Sequence, residues 1–268
     1  MTQERADVSR YRILGLPVSV LDMPRAVEAI EAAIAARRGG YICVRDAHGV
    51  MAAQKDRHLM DIHEEAFLVV PDGMPLVWFG RLYGNDMARV CGPDLMLELC
   101  RHAATRGRRH YFYGGTDASL AKLRPALEEK FPGLNMVGIE SPPFRPVTTE
   151  PDPEGVARIR AADPDIVWVG LGSPKQEYWM RANAHLLPNS ILIGVGAAFN
   201  FHAGTVRRAP VWMQRSGLEW LFRLLQEPKR TWRRYLVLAP QFLVLSSREY
   251  LGWLFGRRHS DGTAASGQ

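Results

Sequence analysis

The chain has 268 residues, 47% hydrophobic and 23% charged, which suits one large or two small globular domains with a real core. Its three cysteines, Cys43, Cys91 and Cys100, have no paired spacing, which argues against a disulfide framework and a structural zinc site. The formal charge of +6 is uneven: residues 205–258 hold eleven Arg or Lys against three Asp or Glu, leaving the remainder near −2. That basic segment asks for an anionic partner, such as phosphate, nucleic acid or a membrane surface.

In chain order, short apolar runs alternate with longer amphipathic ones. The N-terminus "MTQERADVSRYRILG" is polar, so no secretory leader is expected, and no apolar run is long enough to span a bilayer. "RILGLPVSVL" reads as a strand or hairpin, and "MPRAVEAIEAAIAAR" has helical periodicity. "YICVR" is a strand and "AHGVMAAQKD" opens a helix; "AFLVV" is a strand, with Asp72-Gly73 and a helix from about Pro75 behind it. "GPDLMLELCRHAATRG" is a helix, "RHYFYGG" a strand, "TDASLAKLRPALEEKF" a helix and "LNMVGIE" a strand. "PPFRPVTTEPDPEG" reads as a proline-rich loop, followed by the short helix "VARIRAADP" and the strand "DIVWVGLG". "PKQEYWMRANAHLL" is a helix, "SILIGVG" a strand, and the small polar tail at 259–268 is expected to be disordered. This βα alternation predicts an α/β fold, a mainly parallel Rossmann-like sheet with helices on both faces. The expected division is a core at 1–204 and a basic helical appendage at 205–258.

Ligands of such sheets bind beyond the carboxyl ends of the strands. Five strand ends carry polar or glycine-rich loops: Asp46, Asp72, Gly114-Gly115, "GLGSPKQE" and "GAAFNFHAG". Together they predict one pocket. Gly114 and Gly115 before Thr116 let a backbone approach a phosphate at a helix N-terminus, or form an ordinary βα turn with a threonine cap. Neither GxGxxG nor GxxxxGK[ST] is present, which weakens a dinucleotide or P-loop reading. In "GLGSPKQEYW", Gln176 suits a sugar hydroxyl or a base edge; capping by Ser173, with Glu177 on the helix dipole, accounts for the same residues. Asn200 suits a sugar or nucleobase, and His202 is a proton donor or a structural histidine. Helical spacing spreads His48, His58 and His63 over different faces, and Asp163-Pro164-Asp165 sits at the wrong edge of the sheet, so no metal site is expected.

The C-terminal block interleaves arginines with Trp, Phe and Leu, which suits an anionic membrane interface. Nucleic-acid binding and plain packing of "LEWLFRLL" on the sheet compete with that reading. Taken in order, "PDGMPLVW", "RVCGPDL", "YFYGG", "GLGSPKQEYW", "GVGAAFNFHAG" and "RAPVWMQRSGLEWLFRLLQEPKRTWRRY" resemble the WecG/TagA/CpsF glycosyltransferases over about residues 10 to 240.

The resemblance implies an inverting, metal-independent and cofactor-free hexosyl or N-acetylhexosaminyl transferase. It would move N-acetylmannosamine, its uronic acid or glucose from a UDP donor to a polyprenyl-diphosphate-linked saccharide, for cell-wall or exopolysaccharide synthesis. It would work on the cytoplasmic face of the plasma membrane, its appendage completing the active site and touching the bilayer. Position by position, it implies Asp72 as catalytic base, Arg89 near the donor, Gln176 in the sugar-nucleotide pocket, and Arg223, Arg230 and Arg233 near the diphosphate or acceptor. Two departures bear on donor identity. Val44-Arg45-Asp46 stands where the family commonly has Thr-x-Asn, and Phe199-Asn200 where it commonly has Phe-Asp. Asp46 thereby becomes a second candidate carboxylate. The rival readings are a nucleotide-sugar-binding module without turnover and a nucleic-acid-binding protein; the near-neutral body speaks against the latter. Self-association is expected when the apolar side chains of the appendage have no membrane to cover them.

Overall fold

The computed structural model describes residues 8–143 and 146–264. An antiparallel hairpin, β1 (Arg10–Ile13) and β2 (Leu16–Ser19), precedes α1 (Met23–Ala35). Then come β3 (Gly40–Arg45), α2 (Ala47–Ala53), α3 (Arg57–Glu65), β4 (Leu68–Pro71), α4 (Met74–Leu82) and α5 (Gly92–Arg106). The second half of the sheet is built from β5 (Arg109–Gly114), α6 (Asp117–Lys130), β6 (Asn135–Glu140), α7 (Pro153–Ala161), β7 (Ile166–Gly170), α8 (Lys175–Ala184) and β8 (Ile191–Gly194). The six strands of the main sheet lie in the order β4-β3-β8-β7-β5-β6, every pair parallel. This is the Rossmann-like α/β sheet that the alternation predicts.

The inner strands form because β-branched and aromatic runs are buried on both faces, whereas the edge strand β6 is only part-buried. "LVVP" and "ILIG" are buried throughout, the pattern of parallel strands covered on both sides. One layer of core gathers Val50, Leu59, Ile62, Trp179 and Met180 from α2, α3 and α8; the other gathers Ile30, Leu95, Leu99, Leu120 and Leu123 from α1, α5 and α6. Each such side chain contributes about 1.5–3 kcal/mol by leaving water.

Side-chain caps start the helices where the polypeptide leaves the sheet: Asp22, Asp46, Asp56, Thr116 and Asp152 each accept from a backbone N–H of the first turn. Two boundaries differ from the sequence expectation for this reason. The helix opened by "AHGVMAA" stops at Ala53, and Asp56 caps a separate α3. The end of the proline-rich loop is helical: Asp152 caps α7, and Pro153 sits at its first position, where a missing N–H costs nothing.

Beyond β8 lie α9 (Ala198–His202), α10 (Val211–Arg215), α11 (Glu219–Gln226), α12 (Pro228–Trp232), a π-helical turn (Arg233–Leu238) and α13 (Ala239–Ala264). Helix α13 packs back over α2 and α4. Phe242 is fully buried, edge-on to Phe79 at 6.0 Å. Tyr250 and Trp253 meet Tyr83 at 5.4 and 5.1 Å, and Glu249 accepts from the Leu14 amide at 2.8 Å. Of the tail expected to be disordered, residues 265–268 lie outside the described residues. Among the described residues no helix is long and apolar enough to cross a membrane.

Candidate active site at the carboxyl edge of the sheet

The strand order makes the five loops singled out above neighbours, because β4, β3, β8, β7 and β5 are contiguous. Arg45 at the end of β3 lies opposite Pro71 at the end of β4, so the residues that follow, Asp46 and Asp72, stand side by side. The Asp72 amide donates to the Arg45 carbonyl at 2.7 Å. A Cβ on Gly73 would fall 3.1 Å from the Asp46 Cβ, so the glycine is what lets the two loops close together. This is the geometric content of "PDG": a carboxylate fixed by the sheet ladder, followed by a residue without a side chain.

The two carboxylates are held differently. Arg89, from the connection between α4 and α5, grips Asp72 twice. Its Nε donates to the Asp72 carbonyl, and its Nη2 lies 3.2 Å from Oδ1. Asp46 spends Oδ1 on capping α2, accepting from the Gly49 amide at 3.0 Å, while Oδ2 accepts from Arg234 of the π-helical turn. Burial would raise the Asp46 carboxyl, but the Arg234 guanidinium and the Gly49 amide outweigh it and hold Asp46 well below the usual carboxylate range.

Behind them lies a buried ion pair. Arg45 Nη2 donates to Glu177 Oε1, and Nη1 to Ser173 Oγ at 3.1 Å; both members of the pair are essentially without solvent contact. Gln176, 3% exposed, donates to Glu177 at 2.9 Å and accepts from the Gly196 amide at 3.0 Å. The structure therefore places Gln176 inside the wall of the site, where it shapes the loop after β8. Gly114 and Gly115 form the corresponding wall at β5. Gly114 has φ +123° and approaches Gly170 so closely that a Cβ would meet its carbonyl carbon at 2.6 Å. Thr116 and Ser119 complete a reciprocal capping box that starts α6. Asn200 is half-buried on α9, its Oδ1 3.4 Å from Thr205 Oγ1. His202 is pushed down to about 4 by burial and bonds the Pro93 carbonyl at 3.0 Å.

The appendage reaches this edge through some of its arginines and not others. Arg223 lies over the Phe201 ring at 5.5 Å, close to Asn200 in the chain. Arg230 and Arg233 are exposed to solvent, and Arg230 pairs with its neighbour Glu227 at 3.6 Å. Arg234, one residue on, is the one seated among the carboxylates. Among the described residues, no three His, Cys, Asp or Glu side chains gather as a metal ion requires. A groove of about 540 Å³ between α1 and α5 and a hollow of about 300 Å³ beside Arg160 and His185 are lined by residues remote from this constellation.

The chain matches the model of the "Glycosyl transferase WecG/TagA/CpsF family" over residues 11–254. The chain belongs to that family. It is 31% identical over 212 residues to the N-acetylglucosaminyldiphosphoundecaprenol N-acetyl-beta-D-mannosaminyltransferase of Bacillus subtilis (strain 168), covering 79% of this chain and 80% of the relative. The protein of that name from Bacillus spizizenii (strain ATCC 23059 / NRRL B-14472 / W23) is 30% identical over 208 residues, 77% and 78% of the two chains.

Within this glycosyltransferase family member, Arg234 and Glu219 were not singled out from sequence, and Arg45 and Glu177 were named but not as a pair. Arg234 adjoins Arg233, and only the phase of the π-helical turn decides which of them faces inward. Arg45 and Glu177 are far apart in the chain, and a charge inside an apolar strand, "YICVR", was the available sign of a buried partner. Glu219 opens α11, where an acid near a helix N-terminus needs no further explanation.

Proposed function

We propose that this glycosyltransferase inverts the anomeric centre of a sugar as it moves it from a UDP donor to a polyprenyl-diphosphate-linked saccharide, with Asp72 as general base. The observation that carries the reading is the mounting of Asp72. The sheet ladder and Arg89 fix its backbone, and Arg89 occupies one carboxylate oxygen, leaving Oδ2 to face an acceptor hydroxyl. A sugar hydroxyl is a poor nucleophile at neutral pH, and a positioned carboxylate takes its proton as the bond to the anomeric carbon forms. One base with attack opposite the leaving group gives inversion; retention through a covalent intermediate would require a carboxylate nucleophile instead.

The departing UDP gathers negative charge on its β-phosphate. Arginine supplies the compensation in this reading, without a metal or cofactor. Arg234 suits this role because its Nε is buried without a hydrogen-bond partner among the described groups, and a substrate oxygen would satisfy it. Arg223, on the Phe201 ring at the mouth of the same edge, is the second candidate. Asn200 and Asp46 line the donor side, Gln176 sets the β8 loop, and Gly114 and Gly115 keep the β5 turn low. The curated relatives are named for transfer of N-acetyl-beta-D-mannosamine to N-acetylglucosaminyldiphosphoundecaprenol. An N-acetylmannosamine-type donor and a lipid-diphosphate acceptor are the reading they support for this chain.

The acceptor places the enzyme against a membrane. Trp212, Leu225, Trp232 and Leu236 are exposed on the appendage beside the solvent-facing Arg230 and Arg233. This supports peripheral docking on an anionic inner leaflet, with self-association as the alternative cover for those side chains. The test is a panel of UDP-sugars with a lipid-diphosphate-N-acetylglucosamine acceptor and EDTA present. Product from one donor, with thermal stabilisation by UDP, is the expected result. Absence of both would contradict the reading.

A further inference from the structure

The appendage contributes an acid as well as arginines to the catalytic edge. Glu219, at the start of α11, accepts from Arg89 Nη2 at 2.9 Å, while the same nitrogen lies 3.2 Å from Asp72 Oδ1. Its other oxygen accepts from Arg208 Nε at 3.3 Å, and Arg208 Nη2 continues to Asp94 Oδ2 at 2.9 Å. The result is an alternating chain of charges, Asp72–Arg89–Glu219–Arg208–Asp94. It is folded around the Cys91 thiol, whose sulfur lies 3.4 Å from each guanidinium. Glu219 is 12% exposed, Arg208 17% and Arg89 21%, so solvent screens these pairs weakly. Burial pushes the Cys91 thiol well up, so it adds no charge near neutral pH.

We propose that Glu219 is a positioning residue for the transfer reaction, holding Arg89 partly away from Asp72 so that the carboxylate remains able to take the acceptor proton. The inference rests on the transferase reading above and extends it to a residue outside the core. A base clamped by an undivided guanidinium is a weak base; a base whose guanidinium is shared with a second carboxylate keeps more of its proton affinity. The sharing exists only while α11 is docked, so the same contact ties the competence of Asp72 to the appendage. The other groups facing Asp72 are Arg45 and Asp46 from the end of β3, Arg234 and Tyr235 from the π-helical turn, and Cys91. Glu219 faces Arg89 and Arg208. The two carboxylates share one guanidinium, so the test reads the rate profile of the whole site.

The experiment compares kcat/KM against pH for the full-length protein and three variants, Glu219→Gln, Glu219→Asp and Arg208→Gln, with donor KM and kcat separated. Glu219→Gln removes a negative charge and frees Arg89 for Asp72. Its acid limb should move down by roughly half a pH unit and kcat should fall by about two- to threefold, with donor KM little changed. Glu219→Asp keeps the charge and should restore the limb. Arg208→Gln removes a positive charge from the far side of Glu219, so its limb should move the opposite way, upward. Should Glu219→Gln fail to fold, the opposed behaviour of the other two variants carries the test. Acid limbs that coincide with wild type in every folded variant, with only the acceptor KM raised, would overturn the proposal and leave Glu219 as a docking contact. A wild-type protein without turnover would overturn the transferase reading itself, and the inference with it.

Discussion

Asp46 and Asp72 sit one strand apart, but only one of them keeps an oxygen unclaimed among the described residues. Asp46 is committed on both sides, to the Gly49 amide and to Arg234. Its folded-state pKa is lowered, so the stability it lends is present above the ordinary carboxylate range and is lost only as pH falls through the lower folded value. The Arg234 tether should therefore persist at mildly acidic pH. Asp46→Asn keeps a good N-cap but removes the charge opposite Arg234. Limited proteolysis should then cut the appendage faster than in wild type while α2 remains intact; unchanged cleavage would show that the pair does not hold the segment. At this scale the sequence showed the carboxylates, since both follow apolar strands. It could not show the partners. Choosing Arg233 over Arg234 is a matter of about 100° of helical phase, and the π-helical turn shifts that phase away from the 3.6-residue repeat. Gln176 was legible as a polar residue in a first turn, but its burial against Gly196 depends on where β8 ends.

At the scale of elements, the ends of β3 and α8 are pinned by Arg45 and Glu177. Arg45 also lends its carbonyl to the Asp72 amide, so the pair supports the proposed base through the backbone. Glu177→Gln would leave a fully buried guanidinium without its counter-charge, a change that typically costs about 3–5 kcal/mol. Chemical denaturation should show a loss of that size, with reduced turnover in the protein that remains folded. A midpoint equal to wild type would mean that the pair is not structural. Gly114→Ala should be nearly as damaging, since φ +123° and a 2.6 Å approach to Gly170 leave no room for a Cβ. The β strands and most helices were legible because their apolar runs have clear periods. The start of α7 and the break between α2 and α3 were not, because single capping aspartates inside polar stretches decide them.

At the scale of the molecule, the buried His63 and His110 are pushed down to about 3 and the half-buried His202 to about 4, chiefly by loss of solvent, which favours their neutral forms. Each favours folding fully only above its unfolded value. As pH falls below about 6.5 the unfolded chain binds protons that the native state refuses, at about 1.4 kcal/mol per pH unit for each group. The melting temperature should therefore drop steeply between about pH 6.5 and 5; a flat profile there would contradict the buried neutral assignment. The appendage is the other molecule-scale feature. Its charge surplus was plain in the sequence, but its return onto α2 and α4 through Phe242 was not, because the order of aromatic residues does not say which face meets the core. Deleting residues 205–268 should leave a less stable folded core that no longer transfers sugar to a lipid acceptor; an undiminished rate would refute the coupling of catalysis to docking. The central claim is that Asp72 removes the acceptor proton, and single-turnover transfer by wild type and Asp72→Asn, with donor and lipid acceptor both saturating, tests it most directly. The account predicts a loss of roughly 10²–10⁴-fold in the variant, with UDP binding retained. Transfer by Asp72→Asn at the wild-type rate would contradict it.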